Sequence, residues 1–247
     1  MRRVAILGGT RGMGRSLARK FAERGDWLAL LGRDEEELRR SKADLEARGA
    51  PGVRVTTAVC DLERPDSFRP ALEAAEQGLD GLDTVVVTAA VFAPQDKLEN
   101  DPALTQKLLT VDFANTIVFC EEARKKLMLH GKGTLCVFSS VAGDRGRKPV
   151  VLYGAAKAGL SAYLEGLDHK YRSQGLVTVC VKPGFVKTGM TAGLPQPPFA
   201  GEPDAVADVV IDAIDAGTPV VYAPPIWRAV MTAIKAMPRF VMRRAGF

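Results

Sequence analysis

At 247 residues, 47% hydrophobic and 26% charged, the chain has the make-up of one globular domain with a sizeable core and little room for a second. Its net charge of +5 sits at one end: from Trp227 onward come Arg228, Lys235, Arg239, Arg243, Arg244 and no acid. Setting those five aside leaves 29 basic against 29 acidic residues, which argues against nucleic acid as a partner. The four widely spaced cysteines, Cys60, Cys120, Cys136 and Cys180, suggest neither a disulfide framework nor a metal site. No apolar run reaches the ~18 residues of a transmembrane helix, and a reducing cytoplasm is the expected compartment.

The first apolar run, 4–7, is too short for a signal peptide and leads into a glycine loop, so it reads as a strand. Runs at 27–31, 53–59, 84–88, 134–138, 177–181 and 220–222 read likewise and alternate with helical stretches. They are continuous rather than alternating, the pattern of parallel strands buried on both faces. The expected fold is a single Rossmann-type α/β domain over residues 1–247, a doubly wound parallel seven-stranded sheet with helices on both faces.

Gly8-Gly9-Thr10-Arg11-Gly12-Met13-Gly14 follows the first strand and opens a helix. Glycines let the backbone approach a pyrophosphate, and the helix N-terminus offers free N–H groups and a positive dipole end. The second strand ends on Arg33, where dinucleotide folds selective for NAD carry an acid that holds the ribose 2′-hydroxyl. An arginine there suits a 2′-phosphate, with Arg11 gripping from the other side, so the expected cofactor is NADP(H). The rival reading makes Asp34 the NAD acid, although Asp34 already suits a helix N-cap with Glu37 three residues on.

Tyr153 and Lys157 lie four apart in a helical stretch and share a face. A lysine ammonium lowers a neighbouring phenol's pKa, so Tyr153 can serve as general acid and base. Ser140, thirteen residues earlier at the end of a strand, can hydrogen-bond a reacting carbonyl oxygen. Ser139 should face the other way and be structural. Cys136 and Cys180 read as small core residues.

The loop after Ser140, with Asp144, Arg145, Arg147 and Lys148, should border the substrate. It suits an anionic substrate such as a phosphate ester, or is simply solvated. The Pro/Gly-rich stretch 189–203 reads as a mobile loop. In the tail, 224–247, Trp227, Val230, Met231 and Ile234 recur at helical spacing. They form either a basic amphipathic helix for peripheral contact with an anionic membrane or a face packed on the pocket or a partner subunit.

Taken together, these motifs resemble the short-chain dehydrogenase/reductase family, from the glycine loop to Thr188. Gly8, Gly12 and Gly14 match its GxxxGxG loop, and Ser140, Tyr153 and Lys157 its catalytic serine and YxxxK. The resemblance implies that Asp61-Leu62 holds adenine and that Lys157 also binds the nicotinamide ribose. It implies further that Pro183-Gly184-Phe185-Val186-Lys187-Thr188 holds carboxamide and pyrophosphate through Pro183, Gly184, Val186 and Thr188. Two departures stand out. The family's NNAG is Thr88-Ala89-Ala90-Val91 here, leaving Ala89 and Ala90 at the cofactor. The family's helix asparagine, which supports a proton relay, falls at Asp112, with Asn115 one turn on. The loop and tail also resemble reductases of polyprenyl-phosphate-linked keto-sugars, decaprenylphosphoryl keto-pentoses among them. The expected activity is hydride transfer between NADP(H) and a small-molecule or lipid-linked ketone or alcohol, in a homo-oligomer. Alternatives are a non-catalytic NADP(H)-binding or redox-sensing protein, and a sugar epimerase or dehydratase, for which the chain is short.

Overall fold

The computed structural model describes every residue except His130 and Phe247. Seven strands form one parallel sheet: β1 (Arg3–Leu7), β2 (Trp27–Gly32), β3 (Val55–Val59), β4 (Thr84–Val87), β5 (Gly133–Phe138), β6 (Leu176–Pro183) and β7 (Val220–Ala223). Their order is β3-β2-β1-β4-β5-β6-β7. The chain winds outward from β1 in one direction and from β4 in the other. That reversal opens a crevice beyond the carboxyl ends of those two strands.

Alternate residues of each strand enter opposite layers, as a period of two requires. On one face Ala5, Leu7 and Val85 pack with α3 (Phe68–Gly78), α6 (Thr116–Met128) and α7 (Val151–Tyr171), through Phe68, Phe119 and Leu160. On the other, Val4, Ile6 and Val86 pack with α1 (Gly12–Glu23), α2 (Glu35–Arg48) and α8 (Pro203–Ala216), through Phe21, Leu38 and Val210. The Phe68 and Phe119 rings meet edge to face at 5.5 Å. The expectation that every strand is buried on both faces fails at the two edges. β3 alternates between covered and exposed positions, and Val220 of β7 is exposed, because an edge strand has a neighbour on one side only. β3 also starts two residues late: Gly52, at φ +85°, and a Val53 N–H to Ala50 bond turn the chain there.

α4 (Gln95–Asn100) and α5 (Pro102–Leu109) lead into a single π-helical segment, Thr110–Asn115, that runs directly into α6. The 189–203 stretch is tied down by a 3-10 turn, Gly189–Thr191, and by a bridge between Val186 and Gly201, and Pro203 already belongs to α8. The tail is two helices, α9 (Ile226–Ala236) and α10 (Arg239–Arg244). They break at Met237, which adopts extended backbone because Pro238 follows it. Trp227, Met231 and Ile234 are buried against Val141, Phe185 and Tyr222. No helix among the described residues is long and apolar enough to cross a membrane.

Candidate active site

The glycine loop turns at Gly8, φ +91°, where a Cβ would lie 2.6 Å from the Ala89 nitrogen. A Cβ on Gly14 would lie 2.3 Å from the Gly8 carbonyl oxygen. Only glycine fits at either place, and the closed turn is fastened by Thr88, whose hydroxyl donates to the Leu7 and Gly8 carbonyls at 3.1 Å. The first turn of α1 therefore presents its N–H groups into a cleft of about 510 Å³. Gly8, Thr10, Arg11, Gly12, Met13, Gly14, Arg33, Asp61, Leu62, Ala89, Ala90 and Thr188 line it together. Pro183 ends β6, and Gly184 and Val186 follow it, outside that lining. A cradle that a side chain would fill, beneath a helix N-terminus, fits a dinucleotide's diphosphate.

Arg11 and Arg33 flank the cleft, both largely exposed. Arg11 faces Glu37 at 3.7 Å and Arg33 faces Glu63 at 3.5 Å. Glu63 is held more closely by Lys107, at 2.7 Å. These long, solvated pairs are weak and leave both guanidinium groups free to turn to an anion. Asp34 caps α2, accepting from the Glu37 N–H at 3.1 Å, as its sequence position suggested. Asp61 accepts from the Glu63 N–H at 3.0 Å, and Asn115 donates to the Leu62 carbonyl at 2.6 Å, so Asn115 pins the loop after β3. Burial pushes the nearby Cys60 thiol up to about 12, which keeps it protonated.

Beyond β5, Ser140 begins a short turn and accepts from the Ala142 N–H at 3.1 Å. That turn lies directly on α7. A Cβ on Gly143 would meet the Ala158 nitrogen at 2.7 Å, and one on Gly154 the Ala142 oxygen at 2.8 Å. Two glycines thus bring Ser140 beside Tyr153 and Lys157. The Lys157 ammonium lies 5.5 Å from the centre of the Tyr153 ring and 3.4 Å from the Phe138 carbonyl. Phe92 packs edge-on against the same ring at 5.2 Å. Burial raises the Tyr153 pKa; Lys157 and a hydrogen bond with Ser140 pull it down, Asp112 pushes it up, and the net shift is upward. Ser139 points away and bonds the Lys157 carbonyl at 2.9 Å and Ser161 at 2.7 Å, a structural role.

The two departures from the family pattern meet in one hydrogen bond. Asp112, fully buried in the π-helical segment, accepts from the Val91 N–H at 2.6 Å through Oδ1. Its Oδ2 lies 3.3 Å from the Lys157 ammonium and has no other partner. Burial lowers the Lys157 pKa, but Asp112 and Tyr153 more than offset this and hold the lysine charged.

Several residues that shape the site escape motif reading. Asp144 accepts from Lys182 at 2.6 Å and from the Tyr222 hydroxyl at 2.7 Å, tying the loop after Ser140 to β6 and β7. A Cβ on Gly184 would lie 2.1 Å from Trp227 Nε1, so α9 rests on the Pro183-Gly184 backbone. Each pairing joins residues dozens of positions apart, and no spacing signals it.

Fold and site together define an oxidoreductase that uses a nicotinamide dinucleotide. The short chain dehydrogenase family model matches residues 2–198, and the chain belongs to that family. An uncharacterized oxidoreductase of Mycobacterium tuberculosis is 32% identical over 243 residues, 98% of this chain and 96% of the relative. A 3-oxoacyl-[acyl-carrier-protein] reductase of Aquifex aeolicus is 30% identical over 220 residues, 83% of this chain and 87% of that one. The structure of a short-chain type dehydrogenase/reductase from Mycobacterium ulcerans superimposes with a TM-score of 0.81 at 20% identity, covering 90% of this chain and 87% of that one, a likeness of fold.

Proposed function

We propose that the protein is an NADP(H)-dependent carbonyl reductase, and in reverse an alcohol dehydrogenase, acting on a ketone with an anionic or lipid-linked portion such as a phosphate-linked keto-sugar. The observation that carries this reading is the meeting of Ser140, Tyr153 and Lys157 on the turn and helix beyond the cofactor-shaped cleft. The bound cofactor supplies or takes the hydride. Ser140 hydrogen-bonds the carbonyl oxygen as charge develops there, and Tyr153, protonated near neutrality, donates its proton to that oxygen. Lys157, kept charged by Asp112, steadies the phenolate that remains and holds the cofactor ribose. Arg11 and Arg33, on two sides of the cleft's rim, support NADP(H) over NAD(H); Asp34, the rival acid, also lines the cleft but gives its Oδ1 to the α2 cap.

Exposed apolar side chains at Phe113, Val118 and Val151 support assembly into a homo-oligomer. Phe240 and Val241, exposed beside Arg239, Arg243 and Arg244, support peripheral contact of α10 with an anionic membrane, whereas the apolar face of α9 is already used inside. A second reading, a non-catalytic cofactor-binding protein, draws on the Asp112–Lys157 ion pair, which ties up the lysine.

The test is initial-rate reduction of neutral and phosphorylated ketones with NADPH and with NADH. Consumption of NADPH in preference to NADH, coupled to alcohol formation, is expected. Preference for NADH overturns the cofactor assignment, and tight NADPH binding without turnover of any ketone favours the second reading.

A further inference from the structure

The loop from Ser140 to Tyr153 carries four charged side chains, and three of them are used inside the protein. Asp144 is held by Lys182 and Tyr222, so the loop's one acid is neutralised from beneath. Arg145 donates to the Met237 carbonyl at 3.0 Å, at the end of α9. Lys148 donates to the Arg243 carbonyl at 2.7 Å, in α10. The two cations thus clamp the tail over the loop by bonding carbonyls that helix ends leave without partners.

Arg147 lies between them and is different. Its Nε is buried and has no hydrogen-bond partner, and its guanidinium joins no ion pair among the described residues. Burial works against its charge, with only Asp144, already doubly bonded, acting in its favour. A desolvated guanidinium is otherwise found with its planar donor fork on an oxyanion. An unpaired donor six residues before Tyr153, on a loop fastened at both flanks, is the arrangement of a site that waits for an acceptor from outside the chain.

We propose that Arg147 is the specificity-determining residue for an anionic substrate, binding the phosphate-ester group of the molecule whose carbonyl faces Tyr153; this rests on the reductase reading above. The tail has a part in the same site. By engaging Arg145 and Lys148 it leaves Arg147 as the loop's one cation without a partner among the described residues, half-buried, where a charge-assisted bond to a phosphate is stronger than in open water.

The test uses isothermal titration calorimetry on the full chain saturated with NADPH, with n-octyl phosphate, glycerol 3-phosphate and uncharged n-octanol as probes. The native protein is expected to bind octyl phosphate at least tenfold more tightly than octanol. Arg147→Gln is expected to lose at least tenfold in octyl phosphate affinity and Arg147→Lys less, with NADPH affinity unchanged in both. Tighter binding of octyl phosphate than of glycerol 3-phosphate assigns a lipid-linked phosphate; equal binding assigns a soluble one, and either supports the proposal. Equal octyl phosphate affinity in native and Arg147→Gln protein overturns it. So does a matching loss of NADPH affinity, which would give the guanidinium to the cofactor. Thermal melting separates a packing role, since loss of an unpaired, half-buried cation should leave Tm at or above the native value. A fall in Tm with phosphate affinity unchanged makes Arg147 structural. Because no turnover is needed, a protein that binds octyl phosphate through Arg147 yet reduces no ketone overturns the reductase reading alone.

Discussion

Tyr153 shows how the chemistry hangs on small electrostatic balances. Its phenol is raised by burial, lowered by Lys157 and Ser140, and raised again by Asp112. Removing the hydroxyl in Tyr153→Phe should cut kcat by at least ~100-fold, the worth of a positioned general acid, with NADPH affinity measured by fluorescence unchanged. Alcohol oxidation needs the phenolate, so its rate should climb with pH. Asp112→Asn removes a negative charge that disfavours the phenolate, so the rising limb of kcat/KM should move to lower pH. A limb that stays in place would show that Asp112 does not act on Tyr153, and one that moves to higher pH would show that its hold on the Lys157 charge outweighs its direct effect. At the other end of the cleft, Arg33→Asp should weaken NADPH binding roughly 10- to 100-fold, the scale of one charge-assisted hydrogen bond of ~1.5–3 kcal/mol. NADH affinity should hold or rise, and equal losses for both cofactors would refute a 2′-phosphate contact.

The elements are fastened to one another by contacts that the strand–helix pattern does not reveal. Asp44 of α2 gathers Arg15 and Arg19 from α1 and Arg48 from its own helix. Burial acts to raise its carboxyl, but bonds from Arg48, Arg19 and Arg15 outweigh that and bring it down to about 2. A carboxylate depressed from its usual 3.8 contributes stability that is complete above that value and lost as pH falls towards 2. With solvent screening the contribution is at most ~1 kcal/mol. Asp44→Asn should therefore lower stability at pH 7 by about that much and leave it nearly unchanged near pH 2, as read by urea unfolding. On the opposite side of the fold, Gly184→Ala places a methyl group where Trp227 sits, so α9 must shift. A loss of ~1–3 kcal/mol is expected, with a changed tryptophan emission spectrum. An unaltered spectrum would mean that α9 does not rest on Gly184.

Across the whole molecule the tail divides into two parts with different surroundings. α9 closes a small apolar cluster over Val141, while α10 keeps Phe240 and Val241 outside among arginines. Truncation after Pro238 should leave the fold near its native Tm and abolish sedimentation with anionic vesicles, whereas truncation after Pro225 should destabilise the protein. Each arginine near an anionic surface is worth about 1 kcal/mol, so binding should also weaken as salt rises. Intact protein that stays in the supernatant at low salt would leave α10 as a clamp on Lys148 alone.

The seven strands, the glycine loop and the Ser140–Tyr153–Lys157 set were legible in the sequence, because each is local. Strand burial needs only a run of apolar residues, a tight turn before a helix only glycines beside the helix start, and a tyrosine–lysine pair on one helix face only a four-residue step. The sequence also marked the positions of Asp112 and Val91 as unusual, but not that they bond each other. That bond, the hold of Asp144 on Lys182 and Tyr222, the seat of Trp227 on Gly184 and the isolation of Arg147 were decided by tertiary structure. They join residues from 21 to 78 positions apart, or leave a donor unpaired, and only the closed sheet and the folded tail bring those groups together or keep others away.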